Sequence, residues 1–275
     1  MTWPFDPSVV LGLLALCAGY AVVARRMQAP LQQVLYFAAG VVVIWAALET
    51  PLDPLGDHYL QLAHMVQHML LMAVAPPLLL LGLTPAMAGL LARIPGLRSI
   101  TEPVPALCLY AVAILGWHVP FVYDLAITND FFHIVEHLVF IAVGVLFWWP
   151  LIGSTSSASR RRLSDPQKLV YLFVGSFPMM AVALPLQFSR TLFYAPYATV
   201  PRLVLSITPV IDQTIAGAVM MAMDMAVLGL DALVILYSWF AMDDEEEGEL
   251  PDFIRDARTR WESPSPNGGR VRRGG

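Results

Sequence analysis

The sequence contains few charged residues, and this scarcity excludes several classes of protein. Only 13% of its 275 residues are Asp, Glu, Lys or Arg, whereas 57% are hydrophobic. A soluble domain carries about a quarter charged residues, so a chain with a water-exposed globular surface is excluded. The net charge of −5 also argues against a nucleic-acid partner, because nucleic-acid binding requires a basic face.

Cysteine and lysine are nearly absent. Cys17 and Cys108 lie in separate apolar runs and form no Cys-x-x-Cys pair, so we expect two buried, unpaired thiols. Lys168 is the only lysine, and it lies at the end of an apolar run. A retinal photoreceptor needs a lysine in the middle of a span to form its Schiff base. The sequence therefore excludes that seven-helix class.

Apolar runs of about 20 residues, the length a helix needs to cross a bilayer, recur along the chain. They predict an all-α membrane protein with a seven-helix bundle in residues 1–241. Segments rich in Pro, Gly or Ser separate the runs. Residues 242–275 are expected to form a polar, flexible tail. The predicted spans are residues 8–24, 31–49, 58–83, 103–120, 131–152, 167–188 and 211–241.

The basic residues predict the orientation of these spans. Connections on one side of the predicted bilayer, together with the tail, hold 14 Lys and Arg residues, and those on the other side hold 2. Only an odd number of spans gives this alternation. Because basic segments stay in the cytoplasm, we expect the N-terminus outside and the tail inside.

With this orientation, every histidine falls in the outer half of the bilayer or at its outer surface. Ionisable side chains inside a membrane are costly unless they have a partner, so this clustering indicates a function. We assign His58 to the interface, and His118 is either a ligand or an interface anchor. The six histidines are His58, His64, His68, His118, His133 and His137.

Two pairs of histidines share a helix face on different spans. His64 and His68 are four residues apart on the third span, and His133 and His137 are four apart on the fifth. Glu136 lies on the same face as the second pair. Imidazole pairs with this spacing can ligate one metal ion together. The pattern predicts a metal site shared by the two spans.

The last span carries a second polar stripe. Its thioethers, combined with imidazoles, form a ligand set that suits Cu(I). Its aspartates could instead hold the second ring nitrogen of a ligating histidine, and the sequence leaves both roles open. The residues of the stripe are Gln213, Gly217, Met220, Asp224 and Asp231, and we expect Asp212 to cap the outer end of this span.

Five motifs, taken in order, resemble the third, fourth, fifth and last spans of the CtaG family of cytochrome c oxidase assembly factors. Together they cover most of the predicted membrane region. The motifs are His64-Met65-Val66-Gln67-His68, Trp117-His118-Val119-Pro120, His133-Ile134-Val135-Glu136-His137, Phe147-Trp148-Trp149-Pro150 and Asp212-Gln213.

The resemblance implies a bacterial inner-membrane protein that helps to form a copper centre of a caa-type cytochrome c oxidase. It implies a non-catalytic assembly factor that handles copper, as Cu(I). Its partners would be oxidase subunits, the lipid bilayer and another copper chaperone. The implied metal-handling residues are His64, His68, His118, His133 and His137. The supporting residues are Glu136, Asp212, Gln213 and Met220, to which the polar stripe adds Asp224.

Other functions remain open at this point. His133-x-x-Glu136-His137 matches the H-x-x-E-H motif of zinc proteases, which would make the protein a membrane metallohydrolase. Histidines on facing helices could instead bind haem. A channel lined by Asp224 and Asp231 is a further alternative, although it leaves the histidine clustering unexplained.

Overall fold

A computed structural model describes residues 5–156, 158–203 and 206–249. Within these residues the chain is helical and has no β strand. The helices are α1 (Pro7–Arg26), α2 (Leu31–Leu48), α3 (Leu52–His58), α4 (Gln61–Met69), α5 (Ala75–Leu81), α6 (Pro85–Leu91), α7 (Leu97–Ile100), α8 (Pro103–Trp117), α9 (Pro120–Thr128), α10 (Asp130–Trp148), α11 (Gly153–Ser156), α12 (Asp165–Phe188) and α13 (Pro209–Glu249).

Six helical segments are long and apolar enough to cross a membrane. The bent pair α8–α9, whose axes differ by 74°, makes a seventh if it counts as one span. Large apolar side chains such as Val104, Val112 and Leu138 point outward, as expected for a surface that faces lipid. The structure thus confirms an all-helical chain with six or seven apolar helices that could span a membrane, whereas the count of seven and the orientation stay predictions. The six segments are Pro7–Arg26, Leu31–His58, Gln61–Leu81, Asp130–Trp148, Asp165–Phe188 and Pro209–Phe240.

The described part of the chain divides into two compact units, the first ending at Ala232 and the second beginning at Leu233. The first unit contains α1 to α12, the first part of α13 and all the candidate site residues. In the second unit α13 continues to Glu249, so the acidic block at residues 243–247 is helical. The rest of the predicted tail, residues 250–275, lies outside the described residues.

Two segments that the sequence marks as connections are helices. The Pro51/Pro54/Gly56 segment folds as α3, because Pro51 precedes the helix and Pro54 lies in its first turn, where a missing N–H does no harm. Residues 120–128 likewise form α9, which begins at Pro120. Both short helices lie beside the predicted metal site.

The predicted third span begins later than expected and contains an irregular turn. It begins at Gln61 rather than at residue 58, and a π-helical turn, Leu70–Val74, separates α4 from α5. Pro76 and Pro77 have no N–H to donate to the carbonyls four residues earlier, which accounts for the irregular turn. Gly144 on α10 approaches the freed carbonyl of Met72 so closely that a Cβ atom would lie 2.5 Å from it. Helix α10 therefore packs closely against this turn.

The helices pack through a core built on α2 and α5. Gly40 and Gly82 let these helices touch, since a Cβ atom at either would meet Leu79 or Phe37 within 3 Å. The expectation of buried cysteines is wrong: Cys17 and Cys108 are both unpaired and exposed. Each occupies an outward face of its helix, where an apolar thiol suits a lipid-facing surface.

Candidate metal centre

Helix α4 carries two of the predicted ligands, and a residue from the far end of the chain holds its first turn. His64 and His68 are both buried in the bundle. Leu60, the residue before α4, has no side chain that could accept from the free N–H groups. Asp212 on α13 accepts instead, from Gln61 N at 2.7 Å and Leu62 N at 3.2 Å. We expected Asp212 to cap its own helix, but it caps α4.

Helix α10 supplies the other side of the site. Asn129 starts this helix by accepting from the backbone N–H groups of Phe131 and Phe132. Glu136 lies about two helical turns after Asn129 and is fully buried. Its Oε2 atom is 3.9 Å from His64 Nε2 and 3.7 Å from His68 Nε2. One carboxylate therefore contacts both histidines of α4.

Four side chains converge into what we call the histidine–glutamate cluster: His64, His68, His133 and Glu136. One ligand atom of each lies within 4.8 Å of the corresponding atoms of the others. Three of the four are buried, and His133 is partly buried. Three nitrogens and one oxygen at such separations form a donor set that copper or zinc accepts.

Most polar atoms of the cluster have no hydrogen-bond partner among the described residues. Within the described residues, both ring nitrogens of His64 and His68, both oxygens of Glu136 and Nε2 of His133 are buried without one. A buried polar group left in this way costs about 1–3 kcal/mol, and native proteins rarely tolerate several together. The donor atoms are thus arranged as a bound cation would require.

A fifth polar side chain, Asp57 on α3, contacts the cluster from the opposite side to Glu136. Its Oδ1 atom is 3.7 Å from His64 Nδ1, and its Oδ2 atom is 3.5 Å from His133 Nδ1. In the part of the chain that the structure describes, Asp57 and Glu136 have ion-pair contacts with histidines alone. Two carboxylates with no competing Lys or Arg make the cluster attractive to a cation.

Aromatic rings enclose the cluster. The Tyr123 ring is 5.3 Å from that of His64, and the Phe140 ring is 4.7 Å from that of His68. Tyr194 stacks on Tyr123 at 3.6 Å, and Tyr197 donates a 2.9 Å hydrogen bond to the carbonyl of Gly56. Burial raises the pKa of the Tyr197 hydroxyl well above its usual value, so it remains a neutral donor.

Two predicted ligands lie beside the cluster rather than in it. His137 is buried one turn after His133, with ring centroids 4.1 Å apart, and its Nε2 has no partner among the described atoms. His118 ends α8, where its Nδ1 lies 2.8 Å from the carbonyl of Ile114. That bond occupies one of its two ring nitrogens. His58, which we assigned to the interface, is exposed.

The remaining supporting residues are buried on α13 in the first unit. Gln213 holds the segment after α12, donating to Thr191 O at 3.0 Å and accepting from Phe193 N at 2.8 Å. Met220 and Asp224 are both buried. Asp212 and Gln213 therefore both bind backbone groups of other segments, Asp212 at the start of α4 and Gln213 after α12.

Asp57 is the site residue that sequence reasoning missed. It lies seven residues before His64, in a segment interpreted as a connection, so its helix face could not be assigned. The available signal was its place on the outer side of the predicted bilayer, next to the histidine-bearing span. Glu136 was predicted as a supporting residue, but the structure places it in the cluster. This placement likewise depends on the contact between α4 and α10, which the sequence does not reveal.

Comparison with known families agrees with the motifs. The family model described as cytochrome c oxidase caa3 assembly factor (Caa3_CtaG) matches residues 15–242. This match covers most of the 275 residues, so the chain belongs to that family, as the resemblance predicted. No curated protein and no solved structure matches the chain significantly.

Proposed function

We propose that the protein is a multi-pass protein of the bacterial inner membrane that carries copper for the assembly of cytochrome c oxidase. The family to which the chain belongs is described as a cytochrome c oxidase assembly factor. The observation that supports copper handling is the histidine–glutamate cluster, with its buried and unpartnered donor atoms. The copper ion is cargo that the protein binds and releases, so no catalytic step is required.

The donor set, three imidazoles and one carboxylate without a thioether, is one that Cu(I) can occupy. Three imidazole nitrogens can hold a cuprous ion at low coordination number, and such a complex exchanges ligands readily. Glu136 contacts two of the imidazoles and would offset the positive charge of the ion. Transfer would then consist of replacing one imidazole at a time by ligands of an acceptor, which we propose to be an oxidase subunit. Another copper chaperone is the proposed donor.

The geometry supports copper carriage over the zinc hydrolase alternative. In an H-x-x-E-H zinc site both histidines of the motif hold the metal, and the glutamate is the base. In this protein the cluster combines one histidine of the motif with its glutamate and two histidines from α4. Purified protein that cleaves a membrane substrate, and loses this activity in Glu136→Gln, would overturn our proposal.

Metal analysis of the detergent-purified protein tests the site. We expect about one copper per chain after anaerobic loading with Cu(I), as for a single four-ligand site, and loss of copper in the double variant His64→Ala/His68→Ala. His58→Ala is the matched control, because it removes an exposed histidine of the same region. Equal copper contents in the double variant and the control would contradict the site, and a Soret band would identify haem instead.

Oxidase assembly is tested separately, in cells. A strain that lacks this protein should contain the oxidase polypeptides but an oxidase deficient in copper. The wild-type gene should restore the copper, and the double variant should not. A copper-replete, fully active oxidase in the deletion strain would refute the assembly role.

A further inference from the structure

We propose that Asp57 is the positioning residue of the histidine–glutamate cluster. Its carboxylate holds the Nδ1–H groups of His64 and His133, and this directs the Nε2 lone pairs of both rings toward the bound cation. The proposal rests on the function proposed above and specifies how the cargo site is organised.

The two oxygens of Asp57 contact histidines from different helices. Oδ1 faces His64 on α4, at 3.7 Å from Nδ1, and Oδ2 faces His133 on α10, at 3.5 Å from Nδ1. Both distances are slightly longer than a hydrogen bond. A small movement of the side chains toward each other would bring them within hydrogen-bond range. One side chain can therefore orient ligands from both halves of the site.

The opposite edge of the His64 ring faces the other carboxylate. His64 Nε2 lies 3.9 Å from Glu136 Oε2, so the ring is placed between Asp57 and Glu136. The His133 ring is nearly parallel to that of His64, with an interplanar angle of 18° and centroids 5.3 Å apart. In a neutral imidazole one nitrogen carries a proton and the other a lone pair. A proton held on Nδ1 by Asp57 leaves Nε2 free to bind the cation.

The surrounding structure holds Asp57 in place. Gly56 packs so closely on α4 that a Cβ atom would lie 2.9 Å from the nitrogen and Cα of His64. Tyr197 donates a hydrogen bond to the carbonyl of the same glycine. The backbone next to Asp57 is thus fixed against the ligand-bearing helix on one side and by a buried tyrosine on the other.

Helix stability does not account for Asp57. It is the second-last residue of α3, where the negative end of the helix dipole disfavours a carboxylate. Its Oδ1 atom is buried without a hydrogen-bond partner among the described residues. A contact with two imidazoles explains a carboxylate at this position, because such partners orient the ring and make the nitrogen a stronger ligand.

The first measurement is copper affinity, by competition with a chromophoric Cu(I) chelator under anaerobic conditions. Asp57→Asn keeps the size of the side chain but has one acceptor oxygen instead of two. We expect copper affinity to fall about 10–100-fold, while the stoichiometry stays unchanged. Asp53→Asn is the matched control, since Asp53 lies one turn earlier on α3 and accepts from Gln67 at 2.7 Å. It should leave the affinity unchanged.

The second measurement detects the ring tautomers in the metal-free protein, by NMR of ¹⁵N-labelled histidine. We expect His64 and His133 to carry their protons on Nδ1 in the wild type. At least one of them should lose this preference in Asp57→Asn. His118 is an internal reference, because the carbonyl of Ile114 holds its Nδ1 proton independently. A residue that only stabilises the fold would not change the tautomers selectively.

The outcomes separate the two proposals. Wild-type affinity together with unchanged tautomers in Asp57→Asn would overturn the positioning role. So would protons on Nε2 of His64 and His133 in the wild type, a result that requires no variant to fold. Complete loss of copper with unchanged tautomers would make Asp57 a ligand instead. Absence of copper from a wild-type protein with the expected tautomers would refute the cargo and leave the positioning intact.

Discussion

Gly56→Ala is the smallest change that should disturb the metal centre without touching a polar side chain. The new Cβ atom would lie 2.9 Å from the backbone nitrogen and Cα of His64 and 3.1 Å from its Cβ. Carbon atoms pack favourably at about 3.5–4.0 Å, so α3 and α4 must separate by roughly 0.5–1 Å. Binding sites tolerate displacements of about 0.5 Å. Copper binding should therefore weaken.

The expected cost to stability follows from the same contact. Overpacking lowers the free energy of unfolding by about 1–3 kcal/mol. Replacing a helical glycine by alanine raises it by about 0.5–1 kcal/mol, which offsets part of this loss. The net loss lowers the melting temperature by about 2–4 °C per kcal/mol for a chain of this size. Thermal unfolding in detergent and copper content of the same samples measure both effects.

Gly89→Ala is the matched control for this prediction. Gly89 lies in α6, and a Cβ atom added there meets nothing within 4 Å. We expect this variant to keep its copper and to melt at the wild-type temperature or slightly above it. Equal melting temperatures and copper contents in Gly56→Ala and Gly89→Ala would refute the reasoning, because they would show that α3 does not need its close approach to α4.

Two further predictions concern how the site-bearing helices are held. Asp212→Ala should lower the free energy of unfolding by about 1–3 kcal/mol for each amide of α4 left unpaired. Asp212→Asn keeps one acceptor oxygen and should lower it less. Equal melting temperatures for the two variants would contradict the capping role. Gly144→Ala should destabilise by about 1–3 kcal/mol, because its Cβ atom would lie 2.5 Å from the carbonyl of Met72. Gly116→Ala, where a Cβ atom meets nothing within 4 Å, is the control, and a melting temperature for Gly144→Ala no lower than that of Gly116→Ala would show that α10 can move away.

Local sequence patterns predicted the parts of the site that lie on one helix. His64 and His68 share a face because four residues make about one helical turn, and the same rule joins His133 to Glu136 closely enough for both to enter the cluster. The rule predicted His137 equally well, yet the structure places His137 beside the cluster. Which side of a helix meets its neighbour depends on the rotation of α10 against α4, and spacing along one helix carries no information about that rotation.

Residues that act across helices could not be assigned in this way. Asp212 reaches α4 across about 150 residues of chain, and its capping bonds form only because α13 packs against the start of that helix. Asp57 faces two histidines because the proline-containing segment folds as a helix instead of a loop. A proline in the interior of a helix breaks it, whereas a proline in the first turn is tolerated. The same residues are therefore compatible with either a loop or a helix.

The sequence by itself determined the class of protein and the chemistry of its donors. Its low charge and long apolar runs require a helical membrane protein, because a backbone in lipid must satisfy its own hydrogen bonds, and the ordered motifs identify its family. Only the tertiary structure decided which donors meet. Ligation depends on distances of a few ångströms between α3, α4 and α10, and those distances are set by close packing at Gly56 and Gly144 and by capping from Asp212. The contacts of Gly144 and Asp212 link residues far apart in the chain, and that of Gly56 links two separate helices.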